Sequence, residues 1–275
     1  VAVGVVGNLL AATPLALMTM HLGWRASFVI FGAVNAVIVA VFLLVIRDRP
    51  PGHKARAKQP QSLFSGLGRL LGMYSYWAIS LTSFSRYGYF AALQSLWLGP
   101  YFIYGMGMGE IAASNALFWM GMGYMIGLPV SGFASDRVLK SRKQVVFGSV
   151  VLFWLFTVTL SWWTPSTEPW SVYPLFFFLG FAAAPGQILY AHIKELLPPS
   201  MIAQAMTAVN LFTVLGAGVM THVLGLVLAG EPSALAGPEG FRSLWIVGAV
   251  VLGVSGVLYA FVPDSRTLRG GGSRG

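Results

Sequence analysis

The chain has 275 residues, of which 56% are hydrophobic and 9% are charged, and its mean hydropathy is +0.74. A soluble domain carries about 25% charged residues, so this composition excludes a water-soluble globular domain and predicts an integral membrane protein. The net charge of +9 would suggest a nucleic-acid partner in a soluble protein, but here the basic residues cluster in particular segments. We therefore attribute them to membrane topology and to the anionic headgroups of the lipid bilayer, and expect no nucleic-acid partner.

Two apolar runs open the chain and predict two membrane-spanning helices. The first covers residues 1–20 and the second covers residues 26–46, each close to the ~20 residues that a helix needs to cross a bilayer. A brief turn at His21–Arg25 separates them. We expect residues 1–46 to form a two-helix unit, an antiparallel helical hairpin.

The longest polar segment of the chain comes next, over residues 47–72. It is basic, with Lys54, Arg56 and Lys58 near its centre, and it contains several prolines, so it marks the best internal boundary. Within it, residues 63–72 combine leucines and a phenylalanine with Arg69 and predict a short interfacial helix. We expect a basic cytoplasmic linker.

Six further apolar runs predict six more spans. They cover residues 75–104, 110–134, 144–163, 172–193, 203–228 and 241–262. The predicted fold class is therefore all-α: a polytopic helical membrane protein with eight transmembrane helices. The expected domains are the two-helix unit 1–46, the linker 47–72, a six-helix bundle over 73–263 and a tail over 264–275.

Basic residues fall almost entirely on one side of this alternating topology. Fourteen of them lie in the segments 47–72, 135–143, 194–202 and the tail, whereas the other side carries two, Arg25 and Arg242. The positive-inside rule places the first set, with the C-terminus, in the cytoplasm. We expect the protein in a bacterial cytoplasmic (inner) membrane.

The loop between the apolar runs 110–134 and 144–163 is short and dense in charge. Its pattern is G-x-x-x-D-R-x-x-x-x-R-K, formed by Gly132, Asp136, Arg137, Arg142 and Lys143. We expect Gly132 to allow close helix approach, and Asp136 to pair with a basic neighbour and cap the following helix. The pattern resembles the loop motif of the major facilitator superfamily, although the family form is usually one residue shorter before the basic pair.

The resemblance extends along most of the chain. Gly23-Trp24-Arg25 resembles the turn between family helices 5 and 6, and Glu195-Leu196-Leu197-Pro198 resembles the connection from helix 10 to helix 11. The chain thus looks like helices 5 to 12 of a twelve-helix protein. Family helices 1, 4, 7 and 10 line the path, so this chain would supply only helices 7 and 10. We expect either a longer native protein or a truncated member, with a further chain supplying the missing helices as one option.

The resemblance also implies that the charged loop latches the inner gate during alternating access. The alternative is that its charges serve topology alone.

Arg86 is the sharpest candidate for solute binding. It lies near the middle of the run 75–104, where a guanidinium is costly and usually faces a cavity or a partner. Its planar fork suits a carboxylate or a phosphate. The alternatives are a structural ion pair, contacts to backbone carbonyls, or a side chain that extends to the inner interface.

Four more polar residues are candidates for the solute path. Tyr87 and Gln94 lie seven residues apart and share a helix face. Gln187 and Tyr190 follow Pro185-Gly186, which predicts a kink in the run 172–193. The alternatives are polar helix–helix contacts for Gln94 and a kink that serves packing alone.

No enzyme, cofactor or metal site is expected. The sequence contains no cysteine, no coherent Ser/His/Asp set, no phosphate-binding loop and no metal-ligand cluster. The resemblance implies secondary active transport of a small polar solute, anionic if Arg86 contacts it, with a coupling ion as a further option. The alternative is a truncated, non-transporting relative that acts as a scaffold, partner subunit or sensor.

Overall fold

A computed structural model describes residues 2–45, 63–230 and 237–265. Within those three ranges the chain forms helices and no β-strand. It divides into two compact units, residues 1–62 and residues 63–275. Most of the predicted linker, up to residue 62, and most of the predicted tail, from residue 266, lie outside the described residues.

The first unit is helical over Ala2–Val45, α1, but this range consists of two helices that meet at a kink. The turn predicted at His21–Arg25 is reduced to one residue, Gly23, whose φ of 77° and ψ of 158° are not helical. Glycine adopts a positive φ without steric cost because it has no Cβ. The part over Leu22–Val45 is long and apolar enough to cross a membrane, and its side chains are exposed almost throughout.

The second unit begins with a short helix, α2 (Leu63–Leu71), which matches the predicted interfacial helix in position. The helix α3 follows. It starts as Tyr74–Ala92 and continues to residue 105 through two π-helical turns, Leu93–Trp97 and Tyr101–Gly105. Five long helices complete the unit: α4 (Glu110–Val138), α5 (Arg142–Trp162), α6 (Pro169–Leu196), α7 (Ile202–Ala229) and α8 (Pro238–Ala260).

Six described helices are long and apolar enough to cross a membrane, namely Leu22–Val45 and α4 to α8. The other two predicted spans, near residues 1–20 and 75–104, are also helical. The helix α3 is less apolar because Ser80, Thr82, Ser83, Ser85 and Arg86 lie within it, and all five are buried. The predicted all-α, polytopic membrane fold is thereby confirmed.

Small residues let the helices of the second unit approach closely. The helix α3 packs against α7 and α8, the helix α4 packs against α6, and α5 packs against α8. Gly88 of α3 lies directly against the backbone of Gly216 in α7, and Gly123 of α4 lies against the backbone of Phe177 in α6. Such contacts are typical of membrane helices, which associate through packing rather than through the hydrophobic effect.

Gly123→Ala is expected to lower the free energy of unfolding by about 1–3 kcal/mol, the usual cost of overpacking. A Cβ at this position would overlap the carbonyl oxygen of Phe177. Gly148→Ala in α5 is the matched control, because a Cβ there meets no atom within 4 Å. The free energy of unfolding of both variants is measured in lipid nanodiscs. Equal values for the two variants would contradict the close contact of α4 with α6.

Candidate functional site

Arg86 lies inside the second unit, where only 1% of its surface is exposed. Its Nη2 donates hydrogen bonds to the carbonyl oxygens of Ala182 at 2.8 Å and Ala183 at 3.1 Å, both in α6. Its Nη1 donates to Ser149 Oγ of α5 at 3.2 Å. The Nε of Arg86 is buried and has no hydrogen-bond partner among the described residues. One guanidinium thus joins α3, α5 and α6 through three of its five N–H groups.

A local distortion of α6 makes these carbonyl oxygens available. The helix changes to a 3₁₀ turn over Ala184–Gln187, which contains Pro185. In a 3₁₀ turn each N–H bonds to the carbonyl three residues back instead of four. The carbonyl of Ala182 therefore loses its α-helical partner, the N–H of Gly186, and Arg86 replaces that donor.

A small cavity of about 10 Å³ adjoins the guanidinium, which is room for about one water. Its lining comes from α3, α4, α6 and α7: Ser83, Arg86, Tyr87, Phe90, Tyr124, Ala183, Gly186, Gln187, Tyr190 and Thr213. The structure therefore brings together four of the candidates from the sequence, namely Arg86, Tyr87, Gln187 and Tyr190. Gln94 is half-buried in the first π-helical turn of α3 and does not line the cavity.

A chain of hydroxyl groups runs along one wall of this cavity. The hydroxyl of Tyr190 lies 2.8 Å from Thr213 Oγ1, which lies 2.6 Å from Ser83 Oγ. Tyr190 also donates to Asn210 Oδ1 at 3.1 Å. These groups are uncharged and can both donate and accept hydrogen bonds, apart from the Asn210 oxygen, which accepts. They suit a solute with several polar atoms.

The opposite wall is aromatic and contains a residue that the sequence patterns did not indicate. Tyr124 of α4 stacks on Phe90 with 4.5 Å between ring centroids. Its hydroxyl accepts a hydrogen bond from Gln187 Nε2 at 3.4 Å. Sequence spacing within α4 gave no sign of this contact, because it depends on how α4 packs against α3 and α6.

Among the described residues, Arg86 is the one charged side chain that lines the cavity. Because charges interact strongly where water is excluded, an unpaired guanidinium favours an anion in the space beside it. The arrangement can therefore do two things: attract a negatively charged group, and orient the rest of a polar molecule through hydroxyl and amide contacts.

The charged loop forms a separate cluster at the C-terminal end of α4. Arg142 makes an ion pair with Asp136, bonds to Ser135 Oγ, and donates through Nε to Glu195 Oε1 at 3.3 Å. Arg142 thus ties the end of α4 to the end of α6. Arg137 is exposed and Lys143 is half-buried.

Two expectations for this loop differ from the structure. Ser141, not Asp136, caps α5, because its Oγ accepts a hydrogen bond from the N–H of Gln144 at 3.1 Å. Asp136 lies in a π-helical turn that extends α4 to Val138, so it is too far from the start of α5 to cap it. A Cβ on Gly132 would meet no atom within 4 Å, so this glycine does not mediate a close helix contact.

The segment after α8 adds two hydrogen bonds to the same cluster. Ser141 Oγ donates to Asp264 Oδ2 at 2.6 Å, and Ser265 Oγ donates to Glu195 Oε2 at 2.6 Å. The loop and the ends of α6 and α8 are therefore joined by side chains at one end of the second unit. Sequence spacing could not reveal this, because Asp264 lies 123 residues from Ser141.

Solved structures of membrane transporters share this fold. The inward-open xylose transporter XylE from Escherichia coli superposes with a TM-score of 0.56 at 17% identity, over 72% of this chain and 48% of XylE. A bacterial homologue of the human lysosomal transporter Spinster, inward-facing and unoccupied, gives a TM-score of 0.55 at 16% identity, over 95% of this chain and 64% of that protein.

Curated proteins show a similar relationship at the level of sequence. The membrane sensor protein UhpC of Escherichia coli K12 is 27% identical over 288 aligned positions, which cover 96% of this chain and 62% of UhpC. An MFS-type efflux pump of Mycolicibacterium smegmatis is 26% identical over 250 positions, 88% of this chain and 57% of the pump. The chain spans about three-fifths of the length of these relatives. The model of the Major Facilitator Superfamily matches residues 1–221, and the chain belongs to this superfamily.

Proposed function

We propose that the chain is the larger part of a secondary transporter that moves a small, polar, anionic solute across the membrane. The observation that carries this proposal is the buried guanidinium of Arg86 beside a polar cavity that, among the described residues, is lined by no acidic side chain. Membership in the superfamily supports the transport part of this proposal, as does the name of one relative, an MFS-type efflux pump. The proposed role is non-enzymatic.

In this proposal, α3 and α6 correspond to family helices 7 and 10 and form one wall of the solute path. Residues 1–46 would end the first half of the transporter, 47–72 would link the halves, 73–263 would form the second half, and 264–275 would be the tail. The other wall would come from helices that the relatives carry in their additional length. The cavity of about 10 Å³ would then be the inner part of a larger site completed by that wall.

The solute would bind with its anionic group toward Arg86 and its polar body along Tyr87, Gln187 and Tyr190. Binding near the middle of the membrane lets the two halves rock about a fixed site, which is the basis of alternating access. An ion or solute gradient would drive transport. The protein would lie in a bacterial inner membrane with its C-terminus in the cytoplasm, as the distribution of basic residues favours.

The cluster around Arg142 would control the inner gate. Arg142 holds Asp136 and Glu195 together, and the side chains in these ion pairs are partly exposed. Ion pairs of this kind can form and break as helix ends separate, and they fix one arrangement while they are intact. The contacts to Ser265 and Asp264 would extend this control to the end of α8.

A second candidate function is a membrane sensor, because the curated relatives include the sensor protein UhpC in two organisms. A sensor would use the same cavity to recognise a solute, but the conformational change would be read by a partner protein instead of producing flux. The geometry of Arg86 suits recognition in either case.

Arg86→Ala is expected to lower uptake at least about 100-fold. Loss of a buried charge-assisted contact to the solute costs more than about 3 kcal/mol in a water-excluded site. Arg69→Ala, which removes an exposed guanidinium from α2, is the control. Uptake of a panel of labelled organic anions into cells is measured, with membrane insertion checked for each variant. Wild-type uptake by Arg86→Ala would rule out a role in solute binding.

The transporter and the sensor differ in net flux. The full-length protein, reconstituted in liposomes under an imposed ion or solute gradient, is expected to accumulate at least one labelled anion that stabilises it against thermal unfolding. Liposomes with the Arg86→Ala protein are the control. Stabilisation by an anion without any flux would favour the sensor.

Arg142→Ala is expected to lower the free energy of unfolding by about 1–2 kcal/mol, because it removes the hydrogen bonds that Arg142 donates to Glu195 and Ser135. Arg137→Ala removes the same charge from an exposed position of the same loop and is expected to have little effect. Thermal unfolding and uptake are measured for both. Equal effects of the two variants would mean that the loop acts through its net charge and not through the Arg142 contacts.

A further inference from the structure

In this structure Arg86 donates hydrogen bonds to other helices with N–H groups that it would also need to bind an anion. A guanidinium has two edges at which two parallel N–H groups can hold a carboxylate or phosphate, one formed by Nε with Nη2 and one formed by Nη1 with Nη2. Both edges include a hydrogen of Nη2. In this structure the two carbonyl oxygens of Ala182 and Ala183 occupy Nη2.

We infer that Arg86 acts as a latch. A bound anion accepts the hydrogen bonds of Nη2 in place of these two carbonyl oxygens, and the kink of α6 changes as a result. This inference rests on the proposed recognition of an anion at Arg86. In addition, binding of an anion in the cavity changes the conformation of α6, which forms part of the cavity wall, through the same side chain. The Nε–H, buried and unpartnered among the described residues, is the donor with which the anion first interacts.

The carbonyl oxygen of Ala182 needs a new donor once Arg86 releases it, because Ala182 is almost fully buried and a buried acceptor without a partner is costly. In the 3₁₀ turn the N–H of Gly186 bonds three residues back to Ala183, and the N–H of Gln187 bonds to Ala184. In a regular α-helix these two N–H groups bond one carbonyl further back, to Ala182 and Ala183. We therefore expect α6 to change from a 3₁₀ turn to α-helical hydrogen bonding at Gly186 and Gln187 when Arg86 leaves.

Pro185 permits both forms. It has no N–H to lose, so neither form leaves a donor unsatisfied at that residue, and a kinked α-helix accommodates its ring. Gly186 lies directly beside the guanidinium, since a Cβ there would be in ordinary van der Waals contact with Arg86 Cζ at 3.8 Å. A two-state element of this kind is what a ligand needs in order to change the shape of a protein.

Ser149 is the positioning residue of the latch. Its Oγ donates to the carbonyl of Val146 at 2.7 Å, so its lone pairs face Arg86 Nη1. Ser149 does not line the cavity and acts only by orienting the guanidinium. Ser161 of the same helix makes the same kind of bond, to the carbonyl of Val158 at 2.7 Å, and provides a matched control.

Residue-resolved hydrogen–deuterium exchange of the full-length protein in nanodiscs tests the latch without a ligand. In Arg86→Ala, the amides of Gly186 and Gln187 are expected to exchange at least about fivefold more slowly than in the wild type, because α-helical hydrogen bonds replace 3₁₀ hydrogen bonds of poorer geometry. Ser149→Ala is expected to change exchange at the same two amides, whereas Ser161→Ala is expected to leave them unchanged.

Arg86→Lys is the second variant, in case Arg86→Ala does not fold. Lysine keeps the charge but cannot reproduce the planar arrangement of N–H groups in the guanidinium. Slower amide exchange is therefore expected at Gly186, at Gln187 or at both. Unchanged or faster exchange at both amides in every folded Arg86 variant overturns the latch.

Inorganic phosphate and acetate are the anion probes. With wild-type protein, a probe that binds is expected to slow exchange at Gly186 and Gln187, and to have no such effect in Arg86→Ala. If neither probe stabilises the wild type more than Arg86→Ala, recognition of these anions fails and the latch fails with it. If a probe binds through Arg86 but exchange at the two amides stays the same, the latch is wrong and the proposed function stands.

Discussion

The guanidinium of Arg86 is the feature on which the centre of the second unit depends. It is a full charge in the apolar interior of a membrane protein, and such a charge is tolerated only with several hydrogen-bond acceptors. Here the acceptors come from two other helices: a serine hydroxyl of α5 and two backbone carbonyls of α6. The carbonyls are available because α6 contains a 3₁₀ turn, so the charge and the kink require each other.

Helix packing in the second unit brings these groups within reach. The glycine contacts between α3 and α7 and between α4 and α6 allow backbones to approach closely, so that Tyr124, Tyr190 and Thr213 meet around a single cavity. In a soluble protein the hydrophobic effect would drive such packing. In a membrane it depends on shape, which explains why small residues lie at the closest contacts.

The cluster at Arg142 also joins several helices, but at one end of the second unit instead of at its centre. Its ion pairs join the ends of α4 and α6, and hydrogen bonds from Ser141 and Ser265 include the end of α8. Because these groups are partly exposed, each contact is weaker than those of Arg86 and easier to break. A strong contact in the middle of the unit and weaker ones at its end suit a protein whose helix ends separate while its centre remains packed.

The sequence alone determined the features that depend on local chemistry. Long apolar runs must be helical in a membrane because every backbone polar group needs an internal partner, and a single arginine in such a run stands out by its cost. Pro185 likewise predicted a distortion, because it lacks an N–H. For Gln94, helical spacing suggested the same face as Tyr87, but the residue lies about 10 Å further along the helix and does not line the cavity.

Only the tertiary structure decided which groups meet. Ser149, Ala182 and Ala183 surround Arg86, although they lie between 63 and 97 residues away from it in the chain. Tyr124 and Thr213 complete the cavity from helices whose sequences show no special pattern. Ser141 caps α5 in place of Asp136 because α4 continues past the aspartate. The physical reason is common to all of these: packing between helices sets contacts across long stretches of chain, whereas sequence patterns report only the nearest turns of one helix.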